Sequence, residues 1–212
     1  MKRKLKKEFF KRDTLKVAQE LLGKYIVRKY KNKILAGKII ETEAYIGPKD
    51  KASHAFCPKE KRKPISLKTV EKFFGKKFLE DKEFLKNILK YAGKITSRNK
   101  IEYFEGGYIY IYLVYGMYWQ LNISTSQAGR PECVLIRALD KKEARGPGKL
   151  CQFLKLDKSF YGKDITNNKK IWIEDRGEKI NSSKIIKTQR IGIDYAGPFW
   201  AKRKWRFLLK EV

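Results

Sequence analysis

Acidic residues, histidine and cysteine are scarce in this 212-residue chain, and each scarcity excludes something. There are 23 Asp plus Glu against 51 Lys plus Arg, one histidine and three cysteines. A lone histidine, His54, cannot form a multi-histidine metal site by itself. Cys57, Cys133 and Cys151 are odd in number, widely spaced and free of any C-x-x-C pair. That argues against a disulfide framework or a zinc site and for a reducing compartment. Core packing is the default reading of Cys133, which opens an apolar run, and of Cys151, which sits on an expected helix. No apolar run approaches the roughly 20 residues of a membrane span. The basic start, Met1-Lys-Arg-Lys-Leu-Lys-Lys, lacks the apolar core of a signal peptide and reads as a frayed, solvated end. Neither an internal repeat nor a low-complexity tract occurs.

What is present is a chain long enough to bury a core, with 42% hydrophobic residues, so it is not a disordered polycation. The length favours one domain. The formal charge of +28 costs stability through self-repulsion, and a polyanionic partner, above all nucleic acid, explains it best. Lysine far outnumbers arginine, so a general lysine bias is the competing reading. It does not account for the excess over acids.

The spacing predicts a helix capped by Asp13 or Thr14, with Leu15, Ala18, Leu21 and Leu22 as its apolar stripe and Gly23 as its stop. Strands are expected at 24–30 and 34–44, the second ended by Gly47-Pro48. Residues 57–95 are lysine-rich with helical spacing. Phe84, Leu85, Ile88, Leu89 and Ala92 form one stripe there, and the segment reads as a helical insertion between two sheet-forming halves. Further strands are expected at 133–139, 170–174, 184–192 and 205–209. A helix opening at Gly146-Pro-Gly-Lys exposes backbone N–H groups that suit a phosphate, although such a start is often only a turn.

The densest aromatic stretch is YIYIYLVYGMYWQLN, residues 108–122. Tyr108, Tyr110 and Tyr112 share one face of an expected strand, and Ile109, Ile111 and Leu113 share the other. Tyr115 breaks the period, and Gly116 follows it. This predicts a tight turn with an aromatic tip before a second strand. In so basic a chain, the flat partners for exposed rings are nucleobases.

The sharpest acidic group is Glu41-Thr-Glu43-Ala-Tyr45, at the end of an apolar strand. Alternation places Glu41, Glu43 and Tyr45 on one face, with the carboxylates about 7 Å apart. Three readings fit: a solvated face paired with surplus lysines, a metal-binding pair of a nuclease, or a single general base that activates water. The metal reading needs further carboxylates nearby, and the sequence shows no other compact acidic cluster. Arg137 is embedded in Val-Leu-Ile-Arg-Ala-Leu and needs a partner, either a catalytic carboxylate or a phosphate.

Four motifs occur in one order: Glu-Thr-Glu-Ala-Tyr-x-Gly-Pro at 41–48 followed by His54, Tyr-x-Tyr-x-x-Tyr-Gly-Met-Tyr-x-x-x-Asn at 110–122, Val-Leu-x-Arg-Ala-Leu at 134–139, and Gly-Pro-x-Lys-Leu-Cys-Gln at 146–152. Together they closely resemble the alkyladenine (3-methyladenine, or methylpurine) DNA glycosylase family, over most of the chain outside 57–95. The resemblance implies an α+β, single-domain mixed fold across 1–212, with a curved antiparallel β-sheet, flanking helices and a DNA-intercalating β-hairpin. It implies a monofunctional, monomeric base-excision-repair enzyme without metal or cofactor. Its partner is double-stranded DNA carrying damaged purines (3-methyladenine, 7-methylguanine, hypoxanthine, ethenoadenine), with no membrane involved. Its location is the cytoplasm in a prokaryote or the nucleus in a eukaryote. By position, Glu43 resembles the general base, and Arg137 the residue that helps hold the water or the nucleotide's phosphate. Tyr45 and Tyr112 resemble the walls around the flipped base, with His54 completing the pocket. Asn122 resembles the floor residue that disfavours guanine's amino group, and Tyr115 the residue inserted into the duplex. Met117 and Lys149 match further DNA-facing positions. Two departures stand out: residues 57–95 separate His54 from Thr96-x-Arg-Asn99, and Glu102 lies near an apolar DNA-facing position of the family.

Overall fold

A computed structural model describes residues 2–210. In chain order its elements are β1 (Arg3–Lys4), α1 (Lys7–Phe10), α2 (Thr14–Glu20), β2 (Tyr25–Tyr30), β3 (Lys33–Ile46), α3 (Leu67–Phe74), α4 (Lys82–Tyr91), β4 (Ile109–Val114), β5 (Tyr118–Ser124), β6 (Glu132–Leu139), α5 (Pro147–Phe153), β7 (Ile171–Asp175), β8 (Ile185–Thr188), α6 (Pro198–Ala201) and β9 (Arg206–Leu209). The strands make one antiparallel sheet in the order β1-β7-β2-β3-β6-β5-β4, with β9 beside β3 and β8 beside β9. The fold is thus α+β, a single sheet with flanking helices.

The long β3 strand joins the halves. Its first half pairs with β2 and its second half with β6, while Glu41, Thr42 and Glu43 also pair with β9. The register against β6 shifts on both sides of Glu41, a local irregularity of the kind that re-aims side chains next to functional sites. Period two then divides the sheet's surfaces. Ile109, Ile111, Leu121, Ile123, Val134 and Ile136 enter the main core with Phe10, Val17, Leu21 and Leu150 from the helices. Each such aliphatic side chain removed from water contributes about 1.5–3 kcal/mol. Thr42 also faces this layer and donates to Ala18 O at 2.8 Å, which fixes α2 against β3.

Local signals explain most elements. Asp13, rather than Thr14, caps α2, accepting from Lys16 N at 3.0 Å. The segment with α3 and α4 holds its own cluster of Val70, Phe74, Phe84 and Ile88, which packs on Ala55 and Tyr103. In α4, Phe84 and Ile88 are buried, Leu85 and the following Ala92 pack against the same cluster, and Leu89 is exposed rather than part of the apolar stripe. Two further expectations change. The basic start is not frayed over residues 3–7: Arg3 and Lys4 pair with Asp175 and Glu174, and Lys7 Nζ bridges Glu105 at 2.8 Å and Asp164 at 3.1 Å. Met1 lies outside the described residues. The strand expected at 184–192 ends at Thr188, and the chain beyond it leaves the ladder to serve the pocket.

Candidate active site

On the sheet face opposite the main core, a row of register partners crosses the strands: Tyr110 opposite Asn122, Asn122 opposite Leu135, and Leu135 opposite Glu43. The neighbouring row holds Tyr45 opposite Cys133. At the usual strand spacing, Glu43 and Asn122 lie about 10 Å apart along their row. Above this face is a cavity of about 380 Å³, with Tyr45, His54, Tyr112, Asn122 and Arg137 in its wall and Tyr115 at its lining.

Glu43 is completely buried, and its carboxylate is held from three sides. Tyr45 Oη donates to Oε2 at 2.8 Å, Ile191 N donates to Oε1 at 2.9 Å, and Arg137 Nη1 lies 3.4 Å from Oε1. An ionised carboxylate has about four acceptor sites, so Oε2 keeps capacity for a further donor such as water. Burial raises the pKa of Glu43 despite the opposing pull of Arg137, the Ile191 N–H and the Tyr45 hydroxyl. The result is a geometrically fixed carboxyl whose pKa lies above the ordinary carboxylate value. Glu41 takes a different role. Its Oε1 accepts from Arg137 Nε at 2.8 Å and Arg206 Nε at 2.6 Å. Arg137 thereby finds the carboxylate partners that an arginine in an apolar strand requires, and burial and pairing leave its pKa raised on balance. With two guanidinium groups already on Glu41, the pair is a poor cradle for a metal. Among the described residues, no group of three or more His, Cys, Asp or Glu side chains is placed to hold one.

The aromatic walls come from separate elements. Tyr45, from β3, carries the Arg190 guanidinium over its ring at 4.7 Å. Tyr112, from β4, meets His54 edge to face at 4.7 Å and carries Arg98 over its ring at 4.7 Å. His54 keeps an exposed side, while its Nδ1 shares a 2.6 Å hydrogen bond with Tyr110 Oη. Desolvation, then the charges of Arg98 and Lys94, push the His54 pKa down to about 4, so the ring is neutral at physiological pH. The separation of His54 from Thr96-x-Arg-Asn99 along the chain closes in space: Asn99 Nδ2 donates to His54 O at 3.1 Å and to Lys94 O at 2.9 Å. Gly93 permits this closure, because a Cβ there would meet Ala55 O at 1.9 Å.

At the hairpin tip, Tyr115 and Gly116 both take positive φ, 52° and 70°, and Met117 N donates to Val114 O at 3.2 Å. Tyr115 is 87% exposed and Met117 62%. A tyrosine in the left-handed region costs about 1–2 kcal/mol, and full exposure recovers none of that. Strain and exposure together are what a side chain kept for a partner looks like. Lys149 is exposed on the first turn of α5, whose Gly148 packs against the Tyr118 ring.

Arg190 carries no signal in the sequence, and several other residues join it at the pocket. Arg190 is buried and pairs with Asp50 at 2.6 Å and 2.9 Å, with a further bond to Ala44 O at 3.0 Å. This clamp ties the segment after β8 to the end of β3 and so sets Ile191 N against Glu43. Tyr195 stands at the pocket rim, and Tyr110 is a wall residue as well as support for Tyr112. Glu102 is not at a DNA-facing surface: it is buried in the pocket wall beside Cys133, which packs in a small core cluster with Ile101 and Tyr110 as expected and also lines the pocket.

A family model described as methylpurine-DNA glycosylase matches residues 8–69 and 87–212. The chain is 34% identical to a candidate 3-methyladenine DNA glycosylase of Clostridioides difficile (strain 630), over 97% of this chain and 100% of that protein. It is 34% identical to one of Methanocella arvoryzae, over 98% and 92%, and 32% identical to one of Borrelia garinii subsp. bavariensis, over 96% and 94%. Among the described residues, no helix is long and apolar enough to cross a membrane.

Proposed function

Since this chain belongs to the methylpurine-DNA glycosylase family, and so is a hydrolase of N-glycosyl bonds in DNA, we propose that it flips damaged purines into the cavity beside Glu43 and releases them with a water that Glu43 activates. The observation that carries this reading is the fully buried Glu43, fixed by Tyr45, Ile191 and Arg137, all three of which line an aromatic-walled cavity.

Duplex stacking hides C1′, so the nucleotide must leave the helix at a cost of a few kcal/mol. Tyr115 fills the gap, with Met117 beside it and Lys149 on the phosphates, and this repays part of the cost. The extruded base lies between Tyr45 and the Tyr112–His54 pair, with Asn122 at its far edge. Positively charged alkylated purines gain cation–π attraction from the rings, whereas hypoxanthine and ethenoadenine rely on stacking and shape. As the base departs, the sugar gains positive character. Glu43 then takes a proton from the attacking water and stabilises that charge. Arg137 holds Glu43 in place and offers its outer edge to the water or the phosphate. Residues 57–95 form a lysine-rich helical insertion in a single domain. Two things support this reading: the separate apolar cluster of α3 and α4, and the break in the family match between residues 69 and 87.

The experiment is release of 7-methylguanine and hypoxanthine from duplex DNA in EDTA by the wild type and by Glu43→Gln. The expected result is release by the wild type, loss of release by the variant, and near-normal binding to damaged duplex. A fully active variant contradicts the mechanism. Activity abolished by EDTA restores the metal reading of Glu41 and Glu43.

A further inference from the structure

Glu102 is a buried carboxyl that the mechanism above does not use. It lies in the short 3-10 turn Lys100–Tyr103 and is 2% exposed. It lines the same cavity as Asn122 and Tyr112. Cys133 Sγ is 3.7 Å from Glu102 Oε1 and 3.9 Å from Asn122 Oδ1, so the thiol links the carboxyl to the Asn122 end of the pocket. Among the described residues, Glu102 Oε2 has no hydrogen-bond partner. A buried polar atom without a partner is rare in folded proteins, and catalytic use is one of the accepted reasons for it.

The charged groups around Glu102 explain its protonation. Desolvation dominates, the charge of Asp50 acts in the same direction, and the Cys133 contact and the distant Arg98 oppose it. The net effect pushes the pKa up to about 8. The other titratable neighbours are Tyr103, Tyr110, Tyr112 and Tyr161, all held protonated by burial. Glu102 is therefore a neutral O–H donor at physiological pH, in the cavity wall that also holds Asn122 and Tyr112.

We propose that Glu102 is the acid of the base pocket, donating a hydrogen bond and then its proton to a ring nitrogen of a neutral purine as the glycosidic bond breaks. The inference rests on the glycosylase reading and deepens it. The electron pair of the C1′–N9 bond moves onto the base, and the proton of Glu102 neutralises it there. The water oxygen bonds to C1′, and its proton goes to Glu43. After release, solvent carries that proton from Glu43 to Glu102, so both carboxyls regain their starting states. Two carboxyls whose surroundings give them different duties are a recurring way to run acid and base steps at one pH. A cationic alkylated purine is already activated for departure and does not need this proton. Glu102 thus widens the substrate class toward neutral purines.

The test uses the full chain and measures single-turnover release of hypoxanthine (neutral) and 7-methylguanine (cationic) across pH for the wild type, Glu102→Gln and Glu102→Asp. The wild type should lose hypoxanthine release as pH rises through about 8. Glu102→Gln should lower hypoxanthine release by about 10²- to 10⁴-fold and lose that upper pH limb, while 7-methylguanine release changes by less than roughly tenfold. Glu102→Asp, which keeps an acid, should keep the limb. Retained 7-methylguanine release also reports that the variants are folded. Equal hypoxanthine rates in the wild type and Glu102→Gln overturn the inference, as does an equal loss on both bases. A wild type that releases neither base removes the glycosylase reading and the inference with it. A wild type that releases both, unaffected by Glu102→Gln, removes the inference alone.

Discussion

Glu102 also makes a prediction about folding that needs no DNA. Its ordinary pKa is 4.5, and in the folded protein burial raises it to about 8. Between those values the native chain holds a proton that the unfolded chain has released. Stability must therefore fall as pH rises, because the native state binds more protons. The contribution is intact below the lower value and is lost progressively up to the higher one. Each pH unit in that window costs about 1.4 kcal/mol. Replacing the carboxyl with the isosteric, uncharged amide in Glu102→Gln removes this dependence and leaves every other titration in place. From about pH 6 to about pH 9, the stability advantage of the variant over the wild type should grow by about 3 kcal/mol. The assay is urea unfolding of both proteins at the two pH values, followed by tryptophan fluorescence, with the difference taken at each pH. An advantage that stays constant across this range means that Glu102 is ionised in the native state, and it would falsify the argument for a protonated pocket acid.

Two further outcomes follow from geometry. Tyr115→Gly should leave the fold intact or stabilise it by up to about 1 kcal/mol, since glycine relieves the positive φ, while single-turnover release from duplex DNA slows. Thermal unfolding together with the release assay separates the two effects, and an unchanged release rate contradicts the role at the duplex gap. Asp50→Asn leaves the buried Arg190 guanidinium without its counter-charge and should cost about 3–5 kcal/mol. Because Arg190 sets Ile191 N against Glu43, release of damaged bases should fall too. A loss below about 1 kcal/mol in denaturant unfolding means the clamp is not what holds this segment.

Some of this site is plain in the sequence because its geometry is periodic. Alternation alone separates Tyr110 and Tyr112 from Ile109 and Ile111, and the structure sends one set to the cavity and the other to the core. The same rule places Glu43 and Tyr45 together and Thr42 behind them. The break at Tyr115-Gly116 is equally local and becomes the hairpin turn. What stays hidden is non-local or aperiodic. Arg190 and Asp50 stand 140 residues apart, and nothing in either neighbourhood names the other. Glu102 sits in a 3-10 turn, where no period marks a face. The segment after Thr188 has the composition of a strand. Its Ile191 N–H goes to Glu43 rather than to a ladder partner, a choice that only the assembled pocket makes.

The scarcity of acids gives the pocket's carboxyls a shared logic. In the proposed mechanism DNA brings a dense row of negative phosphates to the mouth of the cavity, and a nearby negative charge favours the protonated form of any carboxyl. For Glu102 that pressure is useful, since it keeps the donor loaded. For Glu43 it is harmful, because a protonated base activates nothing. The structure treats the two oppositely. Arg137 lies against Glu43, and its hold on Glu41 is shared with Arg206, so positive charge stays fixed beside Glu43 when the phosphates arrive. Arg98 acts on Glu102 only from a distance, while its guanidinium rests on the Tyr112 ring. In the proposed mechanism the arginine on β6 is therefore as much a guard of Glu43 against protonation as a positioning group. Removing its charge in Arg137→Gln should shift the acidic limb of the release profile to higher pH, which a loss of positioning alone does not produce.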